Sequence, residues 1–329
     1  MLKLYLADNE GTYKTTKILK RYWEENPDIE LNCDPYWNPL KAEKADVIWV
    51  EWTEGAAQRA SERKGFYPGV VSDHVQQPDK DYNWEGKILI NRMIDIDAYY
   101  GHYRGVAWQN VDYLAYIAKH VFEMVNKEVK FAETFPKLKT VHIPLTIDLN
   151  EWTYRKRDGL NRKIAWISEI WSGKGLPLML QAFRRLLDLH PNGGWELHVV
   201  GRWSTEAWQK PFIDHYVAEL KLQDNVKFFD RVESIDKFLE GYDYLVSSSY
   251  KEAFSLIIAE AMAKGIKTLT HNWKGAKDIW PEEMVWTTVE EFANKMLLGD
   301  YNSEKYRALA ELHDKKFEIT AANKMMNLC

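Results

Sequence analysis

The chain has 329 residues, 28% of them charged and 46% hydrophobic, with a net charge of −5. Its length suggests two domains, and the mild acidity argues against broad nonspecific nucleic-acid affinity while leaving room for a local basic groove. No apolar run reaches the ~18 residues of a membrane span, the opening MLKLYLADNEGTYK is not a signal peptide, and two cysteines, Cys33 and Cys329, make neither a disulfide framework nor a metal cluster, so a reducing cytoplasm is the expected compartment.

Residues 2–7, LKLYLA, read as a strand, followed by the loop DNEGTY and a helix ending near Pro27. Gly11 in that loop makes a Rossmann-like opening, although the full dinucleotide fingerprint is absent. ADVIWVEW (45–52) is a buried strand with Glu51 at its C-terminal end, where open α/β sheets place ligands. A helix follows, then a polar stretch over 67–86. KILINRM (87–93) is the next strand and carries Arg92 near its end, before IDIDAYYGHYRGVAW, with Asp97 and His102. VDYLAYIAKHVFEMVNKEV gives a short strand and a helix. KTVHIPLTIDLNEW (139–152) reads as the last strand and exit loop of a first domain, and the basic run 153–163 as a linker.

The second domain opens with KIAWISEI (163–170), the loop WSGKG and an amphipathic helix, LPLMLQAFRRLLDL. Strands follow at 195–204, carrying Arg202, and at 225–232, carrying Asp230, Arg231 and Val232. The most informative stretch is 246–279, VSSSYKEAFSLIIAEAMAKGIKTLTHNWKGAKDI. A strand ends in a Ser run, a short loop carries Glu252, and an apolar helix stops at Gly265, a C-cap position. Glu252 precedes the helix and Glu260 lies about two turns in, so their backbones are expected roughly 10–12 Å apart. Between them the first amides of a helix, at Ala253, Phe254, Ser255 and Leu256, form an anion site. A diphosphate there, with one carboxylate on sugar hydroxyls and the other on ribose hydroxyls, describes a sugar-nucleotide site.

The pattern of Glu252, Phe254, Glu260–Ala263 and Gly265 resembles the signature of retaining glycosyltransferases of the GT-B fold, family 4. The resemblance is close over the second domain and looser over the first. It implies two Rossmann-like α/β domains facing a central cleft: an acceptor-side domain over 1–155, a sugar-nucleotide domain over 156–302, and a C-terminal helix, 303–329, returning to the first. It implies that Lys174 neutralises the diphosphate, that Glu252 with the backbone at Ala253–Ser255 holds the sugar, that Glu260 takes the ribose, and that the loop near Asp230–Val232, with Arg231, cradles the base. It makes Asp8, Asn9, Glu10, Gly11 and Tyr13, together with Arg92 and Asp97, acceptor-side residues. Two departures stand out. Ser168-Glu169 replaces the Gly-Arg of the family, so Arg202 is the candidate compensating cation; and Ile94 stands where a His is usual.

The expected activity is transfer of a sugar from a nucleotide-diphosphate sugar, foremost a UDP- or GDP-sugar, to an acceptor hydroxyl. The resemblance implies retention of configuration by front-face attack, with no metal or other cofactor. A glycan, a lipid-linked sugar or another hydroxyl compound would be the acceptor. Two alternatives remain open: a degenerate sugar-nucleotide-binding protein, and the same chemistry on a modified base of DNA, with basic runs at 14–21 or 153–163 as the groove.

Overall fold

The computed structural model describes residues 1–8, 15–35, 37–63, 82, 84, 86–205, 207–298 and 301–327. The chain divides into two compact units, one of 1–146 with 315–329 and one of 147–314.

The first unit is built on a parallel six-stranded sheet in the order β2-β1-β3-β4-β5-β6. The strands are β1 (Leu2–Asp8), β2 (Ile29–Asp34), β3 (Val47–Glu51), β4 (Ile88–Met93), β5 (Tyr113–Tyr116) and β6 (Lys139–His142). β3 reads VIWVE and is buried along its whole length, as a strand flanked by neighbours and covered on both faces must be. Leu4, Leu6, Val47, Trp49 and Ile90 pack on Leu19 and Trp23 of the Lys17–Glu25 helix, and on Ala322 and Met325 of the Lys316–Met325 helix. The chain order reverses between β1 and β3, so the crevice of this sheet opens beyond Asp8 and Glu51, which stand side by side in register.

The second unit repeats the plan with the order β12-β11-β10-β7-β8-β9. Its strands are β7 (Lys163–Ile167), β8 (Glu196–Val200), β9 (Val226–Phe229), β10 (Tyr244–Ser247), β11 (Lys267–His271) and β12 (Val285–Trp286). The apolar stripe of the Leu176–Leu189 helix, Met179, Leu180, Phe183 and Leu186, meets Ile164, Trp166, Leu197 and Val199 of the sheet. Here the reversal falls between β7 and β10, the pair registered by Tyr244↔Ile164 and Leu245↔Ala165.

The structure differs from the sequence expectations in several places. β2 and the two-residue β12 carry too few alternating apolar positions to announce themselves. The basic run 153–163 lies inside the second unit rather than in a linker. It is anchored by Arg157, which is buried, donates to the carbonyls of Leu239, Glu240 and Lys264, and lies 3.5 Å from the Asp243 carboxylate. The single returning helix expected over 303–329 is two helices. Ser303–Glu311 packs on the Leu256–Ala263 helix of the second unit, and Lys316–Met325 belongs to the first. Between them Asp314 bridges to Ile147 as a parallel pair, which requires extended backbone at the point where one helix would have continued.

Candidate active site

A cavity of about 200 Å³ opens at the switch point of the second sheet. Trp166, Ile167 and Ser168 line it from the end of β7, and Val246, Ser247 and Ser249 from the end of β10. Lys174, Glu252, Ser255, Leu256 and Ile257 complete the wall.

Lys174 reaches the cavity from a tight turn, Ser172–Lys174, that enters the Leu176–Leu189 helix through Gly175. Gly175 has φ +66, and a Cβ there would sit 2.2 Å from the Ser248 carbonyl oxygen, so glycine is required on both counts. The Ser run explains this close approach. Ser248 Oγ donates to the Lys174 carbonyl and accepts from Trp166 Nε1, each at 2.9 Å, and the Tyr250 amide donates to the Gly173 carbonyl. The lysine turn is thereby stapled to the end of β10, and Lys174 Nζ lies 2.6 Å from Glu252 Oε1. Both side chains are about one-fifth exposed.

Past Glu252, Ala253 and Phe254 turn inward and are buried, Phe254 against Trp280 and His313. Ser255 then takes a left-handed conformation, φ 70, and the helix runs from Leu256 to Ala263. Of the first-turn amides, that of Ile258 donates to the Ser255 carbonyl at 3.1 Å; Leu256 and Ile257, whose amides precede any intrahelical acceptor, line the cavity. The other end closes as the sequence predicts. Gly265, at φ +78, donates to Met262, and Ile266 donates to Ala261, the two bonds of a Schellman cap.

Of the residues the resemblance singled out in this unit, Lys174, Glu252, Ser255 and Leu256 come together around the cavity. The others do not line it. Glu260 is half-buried at the fifth position of the helix, one turn in rather than two, because Ser255 delays the helix start. Arg202 and Arg231 are exposed and Val232 is half-buried. Glu169 is also exposed and does not line the cavity, so no carboxylate from that position faces it.

In the first unit, Asn9, Glu10, Gly11 and Tyr13 lie outside the described residues. Asp8 is buried and accepts from Thr16 Oγ1 at 3.0 Å. Arg92, expected to face an acceptor, is wholly buried. It is held by Glu51 at 3.2 Å, by Glu318 at 2.9 Å and by the Thr15 carbonyl at 3.1 Å, and Thr146 donates to the far oxygen of Glu318. Burial pushes the Glu51 carboxyl up to about 8 against the pull of Arg92. Asp97 is buried as well, caps the Ile94 amide at 3.0 Å, lies 3.6 Å from His102 Nδ1, and is pushed up to about 6 by burial. Glu318 is not legible in the sequence, because a glutamate in a C-terminal helix gives no sign of a partner 226 residues away.

Two doubly wound parallel sheets, with a cavity at the switch point that holds a lysine, a glutamate and a helix start, define the class: this is the two-domain, Rossmann-like GT-B glycosyltransferase fold. Residues 161–298, which lie within the second unit, match the family model described as Glycosyl transferases group 1. No curated protein matches the chain in sequence. Among solved structures, HepE of Anabaena, crystallised with UDP and glucose, aligns over 100% of both chains with a TM-score of 0.70 at 14% identity. A glycosyltransferase of Rickettsia africae aligns over 100% of this chain and 99% of its own, with a TM-score of 0.72 at 14% identity. Sucrose-phosphate synthase of Thermosynechococcus elongatus covers 99% and 98%, with a TM-score of 0.70 at 12% identity. At these identities the likeness is one of fold. No helix among the described residues is long and apolar enough to cross a membrane.

Proposed function

We propose that the protein transfers a sugar from a nucleotide-diphosphate sugar to an acceptor hydroxyl. The observation that carries this reading is the Lys174–Glu252 pair on the wall of a cavity that also receives the start of a helix. A nucleotide diphosphate entering there would draw Lys174 away from Glu252 and onto the phosphate oxygens, joined by the first-turn amides. Glu252, released, would accept hydrogen bonds from the sugar hydroxyls. Lysine and amides then stabilise the charge that grows on the leaving diphosphate as the glycosidic C–O bond breaks. Such neutralisation needs no metal ion, and the reading treats the reaction as metal-independent. Retention of configuration rests on the family resemblance. The acceptor oxygen bonds to the anomeric carbon on the face the diphosphate leaves, and the departing phosphate oxygen takes the acceptor's proton. UDP is the first nucleotide to try because HepE was crystallised with it; the acceptor side is assigned to the first unit on the family resemblance.

The test is a thermal shift of the full chain with UDP-, GDP- and ADP-sugars and the free nucleotides. At 100 times Kd one donor should stabilise the protein by about 2.7 kcal/mol, and that donor should then lose its sugar to water or to added acceptors. If no nucleotide or nucleotide sugar raises the melting temperature, the assignment of this cavity is wrong.

A further inference from the structure

His313 is the last residue but one of the second unit, and it makes two kinds of contact. Its carbonyl accepts the Ile147 amide at 3.0 Å, and Ile147 bridges to Asp314 in parallel register. The segment on which the chain enters the unit is therefore hydrogen-bonded to the one on which it leaves. The His313 ring, meanwhile, closes an aromatic triangle. It stands edge-on to Phe254, with centroids 5.1 Å apart, and tilted against Trp280 at 5.0 Å, while Phe254 and Trp280 are 5.1 Å apart.

Phe254 lies between two residues that line the cavity, Glu252 and Ser255. Glu252 is two positions before it, and Ser255, immediately after it, holds the left-handed backbone that a side chain other than glycine's disfavours. A strained turn persists only where its surroundings hold it. Phe254, 2% exposed, is the anchor of this one, and the triangle is what grips the anchor. Behind His313 and Trp280 lies a second cavity of about 250 Å³, lined also by Met262, Leu309 and Leu312. Truncating the His313 ring would join this cavity to the space left beside Phe254, into which Phe254 could shift.

We propose that His313 is a positioning residue for sugar-nucleotide binding, acting through Phe254 to hold Glu252 and the Ser255–Leu256 turn in their binding geometry. The proposal rests on the sugar-nucleotide reading of the cavity. Coupling of this kind is reciprocal: a ligand that fixes the 252–256 turn also fixes His313, and so tightens the bond from the Ile147 amide.

The experiment titrates UDP into the full chain by calorimetry, well below the melting temperature, for wild type, His313→Ala and His313→Phe, with hydrogen exchange of the Ile147 amide followed in parallel. Displacing the turn should weaken UDP binding by about tenfold or more in His313→Ala, while His313→Phe, which keeps a ring edge, stays within a factor of ~3 of wild type. UDP should slow exchange at Ile147 in wild type and His313→Phe, and leave it unchanged in His313→Ala. If His313→Ala merely melts earlier, with UDP affinity intact, His313 is only packing and the proposal falls. Should His313→Ala not fold, His313→Leu, which fills the site without a ring, is read by the same two criteria. If wild type binds no UDP, GDP or ADP, the donor reading itself has failed, an outcome distinct from wild-type binding that the variants do not change.

Discussion

Lys174 Nζ and Glu252 Oε1, 78 residues apart in the chain, meet at 2.6 Å on the wall of the second unit's cavity. Both are partly exposed, so the pair itself adds little to stability, and its significance lies in what each partner does once a ligand separates them. Lys174→Ala and Glu252→Ala should each lower sugar transfer by at least ~10²-fold, with circular dichroism and melting temperature close to wild type. Lys174→Ala should also weaken free-nucleotide binding, whereas Glu252→Ala should spare it, because Glu252 is assigned to the sugar. Near-wild-type turnover in either variant removes that residue from the mechanism.

Gly175→Ala tests the staple that presents the lysine. Alanine at φ +66 is strained, and its Cβ would sit 2.2 Å from the Ser248 carbonyl, a backbone atom that cannot swing aside. A loss of about 2–3 kcal/mol is expected in urea denaturation, along with weaker nucleotide binding. A stable variant with full affinity would show that the turn has room to relax.

Much of this site was legible because its determinants are local. A Ser run, a glutamate, an octet apolar but for Glu260 and a glycine in left-handed conformation follow one another within twenty residues, and each dictates its own geometry. Distant partners were not legible. Phe254 reads as part of a signature, but its packing on Trp280 and His313 depends on chain that returns much later. Arg92 reads as a basic residue at a strand end. Only the fold brings Glu51 and Glu318 to it and turns it into an internal charge. Glu260 lies a turn less deep than the sequence pattern implies because Ser255, an uncommon residue at positive φ, postpones the helix.

Glu169 stands where the resembling family carries an arginine for the diphosphate, and the structure leaves it exposed and off the cavity wall. Its repulsion of a bound diphosphate is therefore solvent-screened. Glu169→Arg should change UDP affinity by no more than a few-fold, and the change should shrink as salt rises. A gain of more than about tenfold that persists in high salt would show that the arginine place is still wired to the site and that this chain has lost a working cation there.

The buried cluster of the first unit separates two substitutions that look alike on paper. Arg92→Met leaves Glu51 and Glu318 buried without their cation and should cost about 3–5 kcal/mol. Glu51→Gln should cost far less near neutral pH, because burial already holds the Glu51 carboxyl up to about 8, so it carries its proton there. The sign of the pH dependence follows. The folded chain keeps a proton that the unfolded chain releases above its ordinary value of 4.5. This group's contribution is then complete below that value and is lost as pH rises through about 8. Glu51→Gln has no proton to lose, so its stability relative to wild type should improve steadily between pH 5 and pH 8.5. Urea denaturation at several pH values over that range measures it, and parallel curves for the two proteins would mean that Glu51 is ionised in its pair with Arg92.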